Sequence, residues 1–190
     1  MIGTKILGIG GYQPDKVVTN DDLAKIVDTN DEWIRSRVGI QSRRVARDDE
    51  TVEDMAEAAG AKALAASGLE PSEVDLVIVA TCSPVVPLPN VAATVAYRLG
   101  IQAPGAYDLN AACAGFCYAL ANASDAVRAG TARHVLVIGA EKMTAWIDPD
   151  DRSTCIIFAD GAGAVVVGPV ADGEPPGIGP VVWGLSLIHI

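Results

Sequence analysis

Two hydrophobic periods alternate along the chain. Short, nearly unbroken apolar runs fall at residues 5–12, 75–81, 106–109, 135–141 and 164–167, and the stretches between them carry apolar residues at helical spacing. Runs of this length without polar alternation suit strands buried on both faces, as in a parallel sheet covered by helices. The first run ends in glycines and is closed by Gln13 and Pro14. Thr19, Asn20, Asp21 and Asp22 predict a cap before a short helix over 23–27, followed by a polar, irregular stretch up to Trp33. Thr51 with Asp54 forms a capping box that opens an alanine-rich helix to Ser67, with Gly68 as its stop. Further helices are predicted over 90–99 and from Cys113 to Arg128, the second ended by Gly130. Residues 148–152 read as an acidic turn, and 173–177 as a hairpin-like linker before a last strand over 178–183. Strands alternating with helices predict an α/β fold with a mostly parallel sheet flanked by helices.

Composition narrows this picture. Half of the 190 residues are apolar but only 5% are aromatic, so the core is built from Ala, Val, Ile and Leu, as α/β layers allow. No apolar run reaches the roughly 18 residues a membrane span needs, and no basic segment leads into an apolar core at Met1, so a cytoplasmic protein with no membrane partner is expected. Cys82, Cys113, Cys117 and Cys155 are too few and too irregular for a disulfide framework, and no Cys-x-x-Cys pair suggests a metal site; free thiols are expected. The net charge of −10 argues against nucleic acid as a partner. Positive charge is nonetheless concentrated: Arg35, Arg37, Arg43, Arg44 and Arg47 fall within thirteen residues. Guanidinium forks match phosphate oxygens, so the cluster is a candidate for a nucleotide or phosphopantetheine arm; the alternative is a solvated loop balanced by Asp48, Asp49 and Glu50.

Two glycine patterns are set aside. Gly8 and Gly10 lack a third glycine at Gln13, and no helix follows at once; the Gly161 and Gly163 pair is not followed by lysine. Close packing of backbone near a site is the better reading of the second pair. His134 falls in a helix-to-strand turn on the side away from the strand carboxyl ends, where ligands gather in such sheets, and is read as a surface residue outside the chemistry.

The stretch 108–120, DLNAACAGFCYAL, carries the candidate chemistry. A strand meets a run of small residues, and helical spacing follows, which places Cys113 at or near a helix N-terminus. Unpaired N–H groups and the positive helix end favour a thiolate there. Ala111, Ala112, Ala114 and Gly115 leave room for a flat thioester carbonyl. The alternative is that Cys113 and Cys117, one turn apart, fill a buried helix as small apolar residues.

Three motifs, NAACAGF at 110–116, DEWIRSRVGI at 31–40 and FADGAGA at 158–164, occur in the order and spacing of the ketoacyl-acyl-carrier-protein synthase III family, which the chain resembles from residue 5 to about 184. The resemblance implies a thiolase-like fold in which two related halves pack into an αβαβα domain, this chain being one half over 1–184. Residues 185–190 match nothing expected and read as a non-native tail, with His189 accidental. The resemblance makes Cys113 the acyl-accepting nucleophile. It places Trp33 against the adenine of coenzyme A with Arg37 beside it, Thr29 near the nucleotide and Arg152 at the nucleotide end of the tunnel. Leu88, in the three-proline loop 82–89, is implied to reach the acyl pocket of a partner subunit; the alternatives are dimer packing for Leu88 and a core or hinge role for Trp33. The substrates implied are acyl-coenzyme A and malonyl-acyl-carrier protein, with no cofactor or metal, in a homodimer. Family members are considerably longer than 190 residues, and the His and Asn that complete their site have no counterpart here. The expectation is therefore a fragment that does not condense and whose central helix, half uncovered, favours association. Starter-condensing enzymes of polyketide or alkylquinolone type share these motifs, hydroxymethylglutaryl synthase more remotely. A non-catalytic module binding coenzyme A or carrier protein is the reading from a different class.

Overall fold

The computed structural model describes residues 3–184. In chain order the elements are β1 (Thr4–Tyr12), β2 (Lys16–Thr19), α1 (Asn20–Leu23), α2 (Asp31–Val38), β3 (Ser42–Val45), α3 (Val52–Ser67), β4 (Leu76–Ala80), α4 (Val91–Arg98), β5 (Gly105–Leu109), α5 (Gly115–Ala129), β6 (Val135–Lys142), α6 (Arg152–Cys155) and β7 (Asp160–Pro169). Five strands form one sheet in the order β1-β7-β6-β4-β5, while β2 and β3 make a separate antiparallel pair. β4 runs parallel to β5 and β6, and β7 is antiparallel to both β6 and β1, so four of the five strands point the same way. The expected mostly parallel α/β sheet is present.

The apolar runs explain the layering. Alternate residues of a strand face opposite ways. Val77, Val79, Leu136, Ile138 and Val166 therefore pack under α3 and α4, while Ile78, Ala80, Val135, Val137, Val165 and Val167 pack under α5. Small residues set the spacing of α3 on β1. A Cβ on Gly10 would fall 2.2 Å from the Ala59 carbonyl oxygen, and one on Gly8 2.3 Å from that of Ala63. Thr51 caps α3 reciprocally with Asp54, and Gly68 ends it with φ +72°, as the sequence predicts.

Several elements differ from expectation. The first helix begins at Asn20, because Thr19 itself is the cap: its hydroxyl accepts the Asp22 N–H at 3.2 Å, and the Asp22 carboxylate accepts the Thr19 N–H at 3.1 Å. The stretch expected to be irregular before Trp33 starts α2 at Asp31, capped by Asn30, whose side chain accepts the Trp33 N–H at 2.7 Å. Only Ile34 of that helix is buried, too narrow a stripe to register as periodicity. β2 and β3 pair across 22 residues, so no hairpin turn announces them. The glycines at 161 and 163 lie inside β7, paired with Glu141 and Gly139, and are not a lead-in to it. Residues 178–183 do not form the expected strand. They meet no ladder partner and instead lie by α5, with Arg128 Nη2 donating to the Ile178 carbonyl and the Trp183 ring edge-on to Tyr118 at 4.9 Å. Beside α5 an apolar cleft of about 400 Å³ opens, lined by Ile9, Phe116, Gly139, Gly163 and Val165 among others. The expectation for 185–190 and His189 lies outside the described residues.

Candidate active site

Cys113 sits where the sequence places it, at the carboxyl end of β5. Between Leu109 and α5 the chain makes a single tight turn, Ala112–Ala114, entered with Ala112 at φ +45°. A non-glycine residue in that region is uncommon, and such outliers cluster at functional turns. Gly115 allows the turn to seat close to the sheet, since a Cβ there would stand 3.3 Å from the Ala80 methyl. Cys113 and Cys117 are both exposed in this chain, so neither fills its core. The N–H groups of Ala112, Ala114 and Gly115 donate to Asn110 Oδ1, Ala111 O and Ala112 O.

Around this mouth the ends of β4 and β6 are tied together. The Glu141 carboxylate accepts the Cys82 N–H at 2.8 Å, the Thr81 hydroxyl at 3.4 Å and the Ser83 hydroxyl. Ser83 Oγ in turn accepts the Lys142 N–H at 2.9 Å, and Trp146 Nε1 donates to the Ser83 carbonyl at 3.3 Å. Thr81 and Ser83 at the root of the loop are thus buried and bonded, while its tip carries exposed Val85 and Leu88, the latter 80% accessible. Burial, then the hydrogen bond and charge of Glu141, then the neighbouring Cys113 push the Cys82 thiol up.

A second group forms around Trp33. The guanidinium carbons of Arg37 and Arg152 lie 4.6 and 4.8 Å from the Trp33 ring centroid, and Arg152 Nη1 donates to the Asp28 carbonyl at 3.0 Å. Guanidinium groups over an indole are held by its electron-rich face. Trp33 also packs against the small cluster of Leu23, Ile34, Cys155 and Ile156, so part of its surface is core and part is platform. Close by in sequence, the Thr29 hydroxyl is buried without a hydrogen-bond partner.

The arginine cluster does not act as one patch. Arg43 is buried and donates to Val18 O, Asn20 Oδ1 and Ile156 O, its burial lowering its basicity. Arg44 donates to the Pro14 and Asp15 carbonyls, Arg47 pairs with Asp49 and Glu50, and Arg35 pairs with Asp31. Arg37 alone of the five joins the Trp33 group, and Arg152 comes from far along the chain. His134 is buried rather than on the surface: the turn folds back on the sheet, where Nδ1 bonds the Glu73 carbonyl at 2.9 Å. It lies at the start of β6, at the opposite end from Cys113, as expected. Glu141 lies in none of the three motifs, and Asp160, inside FADGAGA, is given no role by it. Asp160 is buried and receives Ala46 N–H, Thr144 N–H and Thr144 Oγ–H. The one usable signal was a lone acid at the edge of an apolar or glycine run. Among the described residues no group of three or more His, Cys, Asp or Glu is placed to hold a metal ion, and no helix is long and apolar enough to cross a membrane.

A sheet covered by helices on both faces, with an exposed cysteine on the turn after the parallel edge strand β5, defines a thiolase-like α/β unit, and known proteins agree. The family model for 3-oxoacyl-[acyl-carrier-protein] synthase III matches residues 107–185. Beta-ketoacyl-[acyl-carrier-protein] synthase III 4 of Streptomyces coelicolor is 58% identical over 96% of this chain and 58% of its own length. The priming β-ketosynthase of the R1128 polyketide pathway superposes with a TM-score of 0.94 at 46% identity, covering 99% of this chain and 55% of that one. The synthase III of Aquifex aeolicus superposes with a TM-score of 0.87 at 50% identity, over 90% of this chain and 55% of that one. Over almost its whole length the chain is similar to proteins of the 3-oxoacyl-[acyl-carrier-protein] synthase III family. It spans a little over half the length of these relatives.

Proposed function

We propose that this chain carries the acyl-accepting part of an initiating β-ketoacyl-acyl-carrier-protein synthase of fatty-acid synthesis. The observation that carries the reading is an exposed cysteine on a strained turn at the carboxyl end of the parallel strand β5. In this reading the Cys113 sulfur attacks the thioester carbonyl of an acyl-coenzyme A, a new C–S bond forms, and the coenzyme A thiolate leaves. The Cys113 N–H, on the same turn as the sulfur, is a candidate donor to the oxyanion that develops. Trp33 with Arg37 and Arg152 offers a π surface and positive charge to an adenine nucleotide, and Thr29 precedes the cap of the helix that carries Trp33. Leu88 offers an apolar side chain to an acyl pocket.

For the whole protein the proposal continues: malonyl-acyl-carrier protein loses CO2, and its carbanion attacks the acyl-cysteine to give a β-ketoacyl product. That stage builds negative charge on a thioester oxygen and needs further donors, and losing one such donor costs about 10²- to 10³-fold. The one histidine of the described residues, His134, is at the far end of the sheet, so we assign this chain the transfer stage and not condensation. Acyl-coenzyme A is substrate and no cofactor is needed; the reaction would take place in the cytoplasm and the protein would pair as a homodimer. A priming role in polyketide synthesis is the second reading, supported by the superposition on the R1128 enzyme.

Intact-mass measurement after incubation with acetyl-coenzyme A tests the proposal. A gain of one acetyl group, absent in Cys113→Ala, supports transfer. Nucleotide binding with no adduct would favour a binding module instead.

A further inference from the structure

The strand ends that place Cys113 bring a second thiol to the same mouth. β4 and β5 are neighbours in register, Ala80 opposite Leu109, and the Thr81 N–H donates to the Leu109 carbonyl at 3.1 Å. Cys82 follows two residues beyond the end of β4. Cys113 follows four beyond the end of β5, on the turn that the left-handed Ala112 begins and that Gly115 seats against Ala80. Cys113 is exposed. Cys82 is half-buried, its backbone pinned by Glu141 and its Sγ 3.9 Å from Met143 Sδ.

We propose that Cys82 is a resolving thiol for Cys113, so that a hydroperoxide closes the pair into a reversible intramolecular disulfide. The Cys113 thiolate attacks one peroxide oxygen; the O–O bond breaks, the alcohol or water leaves, and the sulfur becomes a sulfenic acid. The Cys82 sulfur then attacks that sulfur; the S–O bond breaks, and hydroxide departs as water with the Cys82 proton. Two thiols give up two electrons and two protons, and the hydroperoxide accepts them. Accessible cysteines poised beside a second thiol follow this course, whereas an isolated one proceeds to sulfinic and sulfonic acids. Cys113 influences the acidity of the Cys82 thiol, which places the two sulfurs within electrostatic reach of each other. The other exposed thiol, Cys117, lies on α5 itself, one turn along the same chain, and Cys155 is buried in the separate cluster beneath Trp33. The inference stands apart from the acyl-transfer reading, because it requires only the two sulfurs.

The experiment treats the reduced 190-residue chain with hydrogen peroxide and maps peptides without reduction. The expected result is a cross-link joining the Cys82 and Cys113 peptides, reversed by dithiothreitol, with over-oxidation of Cys113 slowed about tenfold relative to Cys82→Ser. The wild-type map needs no variant to be read. Over-oxidation of Cys113 at the same rate in both proteins, or a cross-link from Cys113 to Cys117 or to a second chain, overturns the proposal.

Discussion

The Glu141 carboxylate accepts the backbone N–H of Cys82 at 2.8 Å, fastening the end of β6 to the loop that follows β4. With the Thr81 and Ser83 hydroxyls on the same carboxylate, one side chain satisfies three donors in a place where Thr81 and Ser83 are almost wholly buried. Glu141→Ala strands these groups and is expected to lower the free energy of unfolding by about 1–3 kcal/mol. Glu141→Gln, which keeps one acceptor oxygen, recovers part of that. Urea denaturation of the three proteins checks the order.

Gly10 is the position where α3 lies closest to the sheet. A methyl group there would meet the Ala59 carbonyl oxygen at 2.2 Å and the Ala63 nitrogen at 2.4 Å, both backbone atoms that move only with the helix. Gly10→Ala is expected to cost about 3 kcal/mol or more. Gly179, with nothing within 4 Å of its would-be Cβ, is the control, and Gly179→Ala should melt close to wild type.

The N-terminus of α3 gives a pH prediction. Burial is the largest single influence on Asp54 and opposes its charge, but the Thr51 N–H, the Arg98 ion pair and the Thr51 hydroxyl together hold its carboxyl below the ordinary 3.8. A carboxyl depressed on folding contributes stability above its unfolded pKa, and that contribution disappears as pH falls through the folded value. Stability should therefore decline below about pH 4, and Asp54→Asn should flatten the Asp54 share of that decline in denaturation curves taken from pH 6 to pH 2.5. At neutral pH, Thr51→Ala is expected to cost about 1 kcal/mol through the lost cap.

If Trp33 and its two guanidiniums receive a nucleotide, Trp33→Ala and Arg152→Ala should each weaken coenzyme A binding about tenfold or more, equivalent to ~1.4 kcal/mol. Arg44→Ala, which removes only bonds to Pro14 and Asp15 carbonyls, should leave it unchanged. Titration calorimetry distinguishes these outcomes, and equal loss in all three variants would sink the assignment.

The parts of this molecule that were legible in the sequence are those whose causes are local. Thr51, Asp54 and Gly68 bound α3 by capping bonds made within a few residues, and the apolar runs of β4 and β6 are buried on both faces because nothing in them favours water. Cys113 was legible for the same reason, since strand, small-residue turn and helix follow one another directly. The family resemblance added Trp33 and Arg152 as candidates, but not that Arg37 and Arg152 both lie over one ring. Tertiary structure decided what depends on partners far along the chain. Arg43 became a buried brace and Arg37 an exposed one, although they differ little in sequence context, because Asn20 and Ile156 arrive at the first and Trp33 at the second. Residues 178–183 have the composition of a strand yet form none, because a strand exists only where a neighbour supplies its hydrogen bonds. Cys82 and Glu141 entered the site by the order β6-β4-β5 alone, since only pairing of strands distant in sequence sets their carboxyl ends side by side.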